Sequence, residues 1–344
     1  MKSRVSKRAL ILVGAVVCLL GTSLGVAYAT SAPASGLKVY VIPKNLGNSY
    51  FTTADSIASG GVCAVAQTLN EASCTETSGS AATPATQIPA IQAAIADGAQ
   101  VLIVSATDPA ALCPTLTAAM QKGITVVTYD SDASGPPPCR SIYVEDALTS
   151  QIGTSEVDII AKEIHDKGQI AIESAAQTAT NQNAWIGYMH KELKKYPKIK
   201  LVATVYGNDV PTTTTQVAQG LLQKYPKLAG IISPTTVGIL AASQVVDAAH
   251  KKGKVIVTGL GTPLAMKKYV LNGTCPIFEL WDPAHVGDVA MYAAANLAAK
   301  NITGATGDKF TAGSLGTFTV LADNTVLTGK PFVFNKANVG KFNF

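Results

Sequence analysis

From Leu37 to Lys300 the sequence keeps alternating between short runs of β-branched and apolar residues and longer segments with helical spacing. The strand-like runs are Val39–Ile42, Ser73–Thr77, Val101–Ser105, Thr125–Tyr129, Gln169–Glu173, Leu201–Tyr206, Gly230–Ser233, Val255–Leu260 and Ile277–Leu280. Helical segments lie between most of them: Tyr50–Leu69, Gln87–Ala96, Ala110–Lys122, Ser150–Asp166, Asn181–Lys195, Thr212–Lys224, Val237–Ala249, Leu264–Asn272 and Ala284–Lys300. Strands joined through helices run parallel with right-handed crossovers, which leaves an α/β architecture with helices on both faces of the sheet. The loop Gly135-Pro136-Pro137-Pro138 interrupts the series, so two lobes of the same kind are expected, followed by a β-rich tail from Phe318 to Phe334.

Lys2, Arg4, Lys7 and Arg8 precede an apolar run from Ala9 to Leu20 and then Ala27-Tyr28-Ala29, the pattern of a cleaved secretory signal over residues 1–29, with the mature chain starting near Thr30. Val17 before Cys18 is too bulky for a lipoprotein cleavage box, so no lipid anchor is expected. Taking those four cations from the 27 Lys and Arg leaves 23 against 22 Asp and Glu, a net charge of +1. That balance offers no basic stripe for nucleic acid. Export makes disulfides the first reading of Cys63, Cys74, Cys113, Cys139 and Cys275. Cys113 with Cys139 is the expected pair, because both lie beside the loops of adjacent strands; whether Cys63 joins Cys74 stays open. The four histidines show no metal-ligand spacing and no C-x-x-C occurs, so neither a metal nor a cofactor is expected.

Loops after successive parallel strands converge on one edge, where ligands bind. The first offers Lys44, Asn45, Asn48, Tyr50 and Phe51, a cation, amides and flat rings suited to a polyhydroxylated small molecule. Later loops add Ser105, Thr107 and Asp108, then Asp130, Ser131 and Asp132, then Asn181 and Gln182, Asn208 and Asp209, Pro234 to Thr236, and Trp281 with Asp282. Each has a plainer alternative. Tyr50 and Phe51 would also serve as helix core, Asp130 as a turn residue and Asn181 as a helix cap. Asp132 is assigned to its turn, and Trp185 to packing within its own lobe. Gly259-Leu260-Gly261-Thr262 lacks the third glycine and distant acid of a dinucleotide fingerprint.

Taken together, Pro43-Lys44-Asn45-Leu46-Gly47-Asn48, Thr128-Tyr129-Asp130-Ser131-Asp132, Thr180 to Trp185, Ile232 to Gly238, Gly259 to Pro263 and Leu280-Trp281-Asp282-Pro283 resemble rhamnose-type substrate-binding proteins of bacterial ABC importers, with autoinducer-2-binding proteins as a sister group. The likeness runs from Val39 to Phe344. It implies a type I periplasmic-binding fold, two Rossmann-like lobes joined by three crossovers, with lobes at 37–143 plus 282–314 and 144–281 plus 315–344. It also implies a monomeric extracytoplasmic receptor that closes on L-rhamnose or a similar deoxyhexose and delivers it to a membrane permease. The family's ligand positions fall on Lys44, Asp130, Asn181, Gln182 and Pro234 to Thr236. Autoinducer-2 receptors carry Asp where this chain has Asn181 and Ala where it has Thr236, which favours the sugar over autoinducer-2 as ligand. An exported sugar-acting enzyme would need an acid and a base flanking a scissile bond, whereas Asp130 and Asp132 share one turn.

Overall fold

The computed structural model describes residues 32–344, so the expected secretory signal and Cys18 lie outside the described residues. In chain order the first stretch is β1 (Lys38–Ile42), α1 (Ser49–Asp55), α2 (Val62–Thr68), β2 (Ser73–Glu76), α3 (Pro84–Ala96), β3 (Val101–Val104), α4 (Pro109–Gln121), β4 (Thr125–Tyr129) and β5 (Ile142–Glu145). The second is α5 (Thr149–Glu163), β6 (Gly168–Ser174), α6 (Thr180–Glu192), β7 (Ile199–Tyr206), α7 (Pro211–Lys224), β8 (Leu228–Ser233), α8 (Thr236–Ala248), β9 (Ile256–Gly259), α9 (Pro263–Asn272) and β10 (Ile277–Leu280). The chain then returns through α10 (Pro283–Ala298), β11 (Lys309–Thr311), β12 (Thr317–Thr319), β13 (Thr325–Leu327) and β14 (Phe332–Asn335).

Two parallel sheets result, one ordered β13-β5-β4-β3-β1-β2 and the other β7-β6-β8-β9, which β10 and its antiparallel partner β14 extend through a bridge from Leu260 to Glu279. β3 is buried along its whole length, as a strand covered by helices on both faces must be. Pro starts α3, α4, α7, α9 and α10, where a missing N–H costs nothing, and Asp108 and Asp282 cap α4 and α10.

Three passages join the sheets: between β5 and α5, between β10 and α10, and between β13 and β14. The third corrects the expected boundaries. β5 and β13 pair with each other in the first sheet, Thr325 opposite Tyr143, so 144 and 145 and the tail as far as Leu327 stay with the first lobe. α10 packs on α1, α2 and β4 of that lobe as well. β5 and β11 are short strands whose patterns give no clear signal. The helix expected over Tyr50–Leu69 is two helices, because the chain turns at Ser56–Gly61. Gly60 sits at φ +86°, and a Cβ on Gly61 would lie 2.0 Å from the Ala54 carbonyl oxygen, so only glycine fits this reversal.

Cys63 of α2 is bonded to Cys74 of β2, and Cys113 of α4 to Cys139, with Cα separations of 5.4 and 5.1 Å. Cys275 is free and fully buried, and burial raises its thiol well above the ordinary range. Alkylation of the denatured, unreduced mature protein should therefore label one thiol, at Cys275. Label on Cys113 or Cys139 would contradict the pairing.

Candidate ligand-binding site

β1 ends at Ile42, and the residues after Pro43 lie where the two lobes face each other. Asn48 caps α1, its side-chain oxygen accepting from the Tyr50 amide at 3.0 Å, which places Tyr50 and Phe51 on the first helical turn. Asp130 follows β4 with φ +57°, a left-handed conformation that Asp tolerates better than most residues. On the other lobe Asn181, Gln182 and Trp185 lie on one face at the start of α6, and Pro234 to Thr236 lead into α8.

Three side chains from distant loops close into a triangle. Lys44 Nζ is 2.8 Å from Asp130 Oδ2, with both side chains under a tenth exposed. Asn181 donates from Nδ2 to Asp130 Oδ1 at 2.9 Å and accepts from Lys44 at 3.3 Å and from the Gln182 amide at 2.8 Å. Chemistry fixes the orientation of the Asn181 amide: its nitrogen faces a group that only accepts, its oxygen two groups that only donate. Ser105 Oγ donates to Asp130 Oδ2 at 2.5 Å. A buried charge pair is tolerable only with its remaining hydrogen-bonding capacity satisfied in this way.

Around the triangle, the lobes touch directly. Thr236 donates to Asn48 Oδ1 at 2.8 Å, and Asn45 donates to the Asp209 carbonyl at 3.3 Å. Asp209 is buried, which raises its carboxyl above the usual range; Thr235, donating at 2.5 Å, and Lys44 oppose that. Gln182 is held at both ends, its oxygen by Ser174 and the Ala175 amide, its nitrogen by the Pro234 carbonyl. Tyr50 accepts from the Trp281 indole at 3.0 Å and donates to Asp146 at 2.8 Å.

A small cavity of about 30 Å³ remains between the lobes. Of the residues named from the sequence, Lys44, Asn48, Tyr50, Phe51, Asp130, Asn181, Gln182, Pro234, Thr236 and Trp281 line it. Asn45 does not. It is buried at the lobe contact, with its Nδ2 on Asp209 and its Oδ1 unpartnered.

Asp209, Thr235, Leu260, Leu280 and Trp185 complete the wall. Trp185 is the correction: it stands one helical turn after Asn181, so the two share a face, and its ring meets that of Trp281 edge-on at 5.9 Å. The spacing was a usable signal. Asp132 is taken by Arg140 at 2.9 Å and by Thr128, consistent with its turn role. Gly259, at φ +142°, lies so close to Ser233 that a Cβ would sit 1.9 Å from its carbonyl oxygen; this glycine serves strand packing.

The Trp pair makes a spectroscopic prediction. Ligand binding should change tryptophan fluorescence, and both Trp185→Phe and Trp281→Phe should diminish that change, because the rings touch and both line the cavity. A full-sized change in Trp185→Phe would return Trp185 to packing alone.

A family model described as periplasmic binding protein domain matches residues 39–302. The chain belongs to the periplasmic binding protein domain family. Among solved structures, an ABC transporter solute-binding protein from Clostridium phytofermentas with bound L-rhamnose is 32% identical, at a TM-score of 0.85, over 90% of this chain and 98% of that one. A sugar ABC transporter protein from Actinomyces odontolyticus is 39% identical at TM-score 0.67, over 89% and 97%. LsrB from Clostridium saccharobutylicum in complex with AI-2 shares the fold, with 24% identity and TM-score 0.83 over 89% and 99%. The two lobes and three passages described above are thus the type I periplasmic-binding fold. The two of these that are more than 30% identical are thus an ABC transporter solute-binding protein with L-rhamnose bound and a sugar ABC transporter protein.

Proposed function

We propose that the chain is the extracytoplasmic receptor of a sugar ABC importer, that L-rhamnose or a similar deoxyhexose is its ligand, and that the lobes close on it before delivery to the permease. The observation that carries this reading is the contact of Asn181 Nδ2 with Asp130 Oδ1 at 2.9 Å. An Asp at 181, as in autoinducer-2 receptors, would set two carboxylates against each other at that distance, and one of them would have to take up a proton. The neutral amide sets no second carboxyl against Asp130, whose oxygens beside Lys44 are placed to accept from sugar hydroxyls in charge-assisted hydrogen bonds. Leu260, Leu280, Phe51 and the two tryptophans supply the apolar surface that a C-methyl group and ring C–H bonds need. The likeness to an L-rhamnose-bound protein supports the same reading. Opening and closing would follow from differential affinity, since each lobe alone presents part of the cavity wall.

Thermal melts of the mature protein against a panel of L-rhamnose, other hexoses, pentoses and autoinducer-2 test it. A ligand at about one hundred times its Kd stabilises the native state by about 2.7 kcal/mol, enough for a melting-temperature rise of several degrees. L-rhamnose or a near relative should produce the largest rise. A rise with autoinducer-2 and none with any sugar would defeat the assignment.

A further inference from the structure

Two consecutive residues of the loop between β7 and α7, Asn208 and Asp209, hold left-handed backbone at φ +53° and +51°. Residues that carry a Cβ visit this region singly, so a pair persists only where the surrounding structure fixes the chain. Here it does. The Gly207 and Asn208 amides donate to the Ser174 and Ala175 carbonyls at the end of β6, at 3.0 and 2.8 Å, and a Cβ on Gly207 would lie 2.2 Å from the Thr214 hydroxyl oxygen. Held in this way, Asp209 is 3% exposed and forms part of the cavity wall between the lobes. Among the described residues it is the one acid that the second lobe puts into that wall.

The polar atoms of Asp209 are only partly used. Its backbone carbonyl accepts from Asn45 of the first lobe at 3.3 Å, and its Oδ1 accepts from the Thr235 hydroxyl at 2.5 Å. Oδ2 has no hydrogen-bond partner among the described residues, yet it is not sealed from solvent as Asn45 Oδ1 is. Since the residue is all but buried and lines the cavity, the surface that Oδ2 keeps opens into that space. Its neighbours on the same wall are already committed: Gln182 is held at both ends, and the Asn181 oxygen takes two donors.

We propose that Asp209 is a sugar-contacting residue, the second lobe's counterpart of Asp130, whose Oδ2 accepts from one ring hydroxyl while its backbone carbonyl holds Asn45 of the first lobe. The inference rests on the sugar reading of this cavity and deepens it. Each lobe then places one carboxyl on the sugar, and on the second lobe the residue that touches the sugar is also the one that touches the first lobe, so the contact favours the closed arrangement. An oxygen left without a donor when one hydroxyl is missing makes the receptor sensitive to that particular hydroxyl.

Titration calorimetry with L-rhamnose and with the analogues that each lack one of its hydroxyls tests this on the wild type and on Asp209→Gly. Glycine removes the carboxyl without straining a left-handed residue. Asp209→Gly should bind L-rhamnose at least about tenfold more weakly than the wild type does. One analogue's disadvantage against L-rhamnose should also vanish in the variant while the others persist, because its missing hydroxyl no longer has a partner to lose. Unchanged affinity in Asp209→Gly, or weaker affinity with every analogue's disadvantage intact, would overturn the proposal and leave the sugar reading standing. No binding of L-rhamnose by the wild type would bring down the L-rhamnose reading and this proposal with it. A crystal structure of the wild-type complex with L-rhamnose decides the matter without a variant. A hydroxyl oxygen should stand about 2.5–3.0 Å from Asp209 Oδ2, and a complex with none there overturns the assignment.

Discussion

Asp130→Ala abolishes the sugar-induced rise in melting temperature and also lowers the melting temperature of the unliganded protein. The first effect follows from removing the acceptor at the centre of the triangle; loss of charge-assisted bonds to several hydroxyls costs at least about a hundredfold in affinity. The second comes from the fold. Lys44 is left buried beside Asn181 without its counter-charge, and breaking a buried pair in this way costs about 3–5 kcal/mol in a closed interior. If the lobes part as proposed, water reaches the ammonium, so about 1–3 kcal/mol is the expected loss. From the sequence, Asp130 was a ligand candidate with a turn as its plainer alternative; the buried pair with Lys44 adds a structural role. Denaturant unfolding and calorimetry on the same variant separate the two effects. Retained sugar affinity alongside lowered stability would make Asp130 a structural residue only.

Glu173→Gln makes the protein more stable at alkaline pH and flattens its pH dependence. Glu173 lies in β6, fully buried, and neither carboxyl oxygen has a partner. Burial raises its pKa from 4.5 to about 8, so the folded protein keeps the proton while the unfolded chain releases it. Between those values the unfolded state binds fewer protons than the native state, and stability falls as pH rises. This stabilisation is complete below about pH 4.5 and lost by about pH 8, a swing on the order of 5 kcal/mol. Burial also raises Glu279 and Asp288 to about 7, in the same sense, so the wild-type curve combines several groups and the comparison with Glu173→Gln isolates one. Gln cannot ionise, so the variant should match the wild type near pH 5 and exceed it at pH 8 and above. Parallel loss of stability in both proteins from pH 5 to 8 would show that Glu173 is hydrated or ionised in the native state.

The order of strands and helices was legible in the sequence because each element's pattern is local: β-branched runs for strands buried on both faces, helical spacing of apolar residues between them, and polar residues at strand ends. Parallel topology then had to bring those ends together, which is why Lys44, Asp130 and Asn181 could be named although 137 positions separate Lys44 from Asn181. What needed the tertiary structure was every decision made by a distant neighbour. Asn45 turns to Asp209 on the other lobe and leaves the cavity wall to Asn48. Trp185 meets Trp281 across nearly a hundred positions and so joins the site. The first helix breaks because Ala54 leaves no room for a Cβ at Gly61, and the tail returns to the first sheet because β5 offers β13 an open edge. Local patterns constrain which way a residue can face within its own element; which residue it faces is decided only when two elements far apart in the chain are packed together.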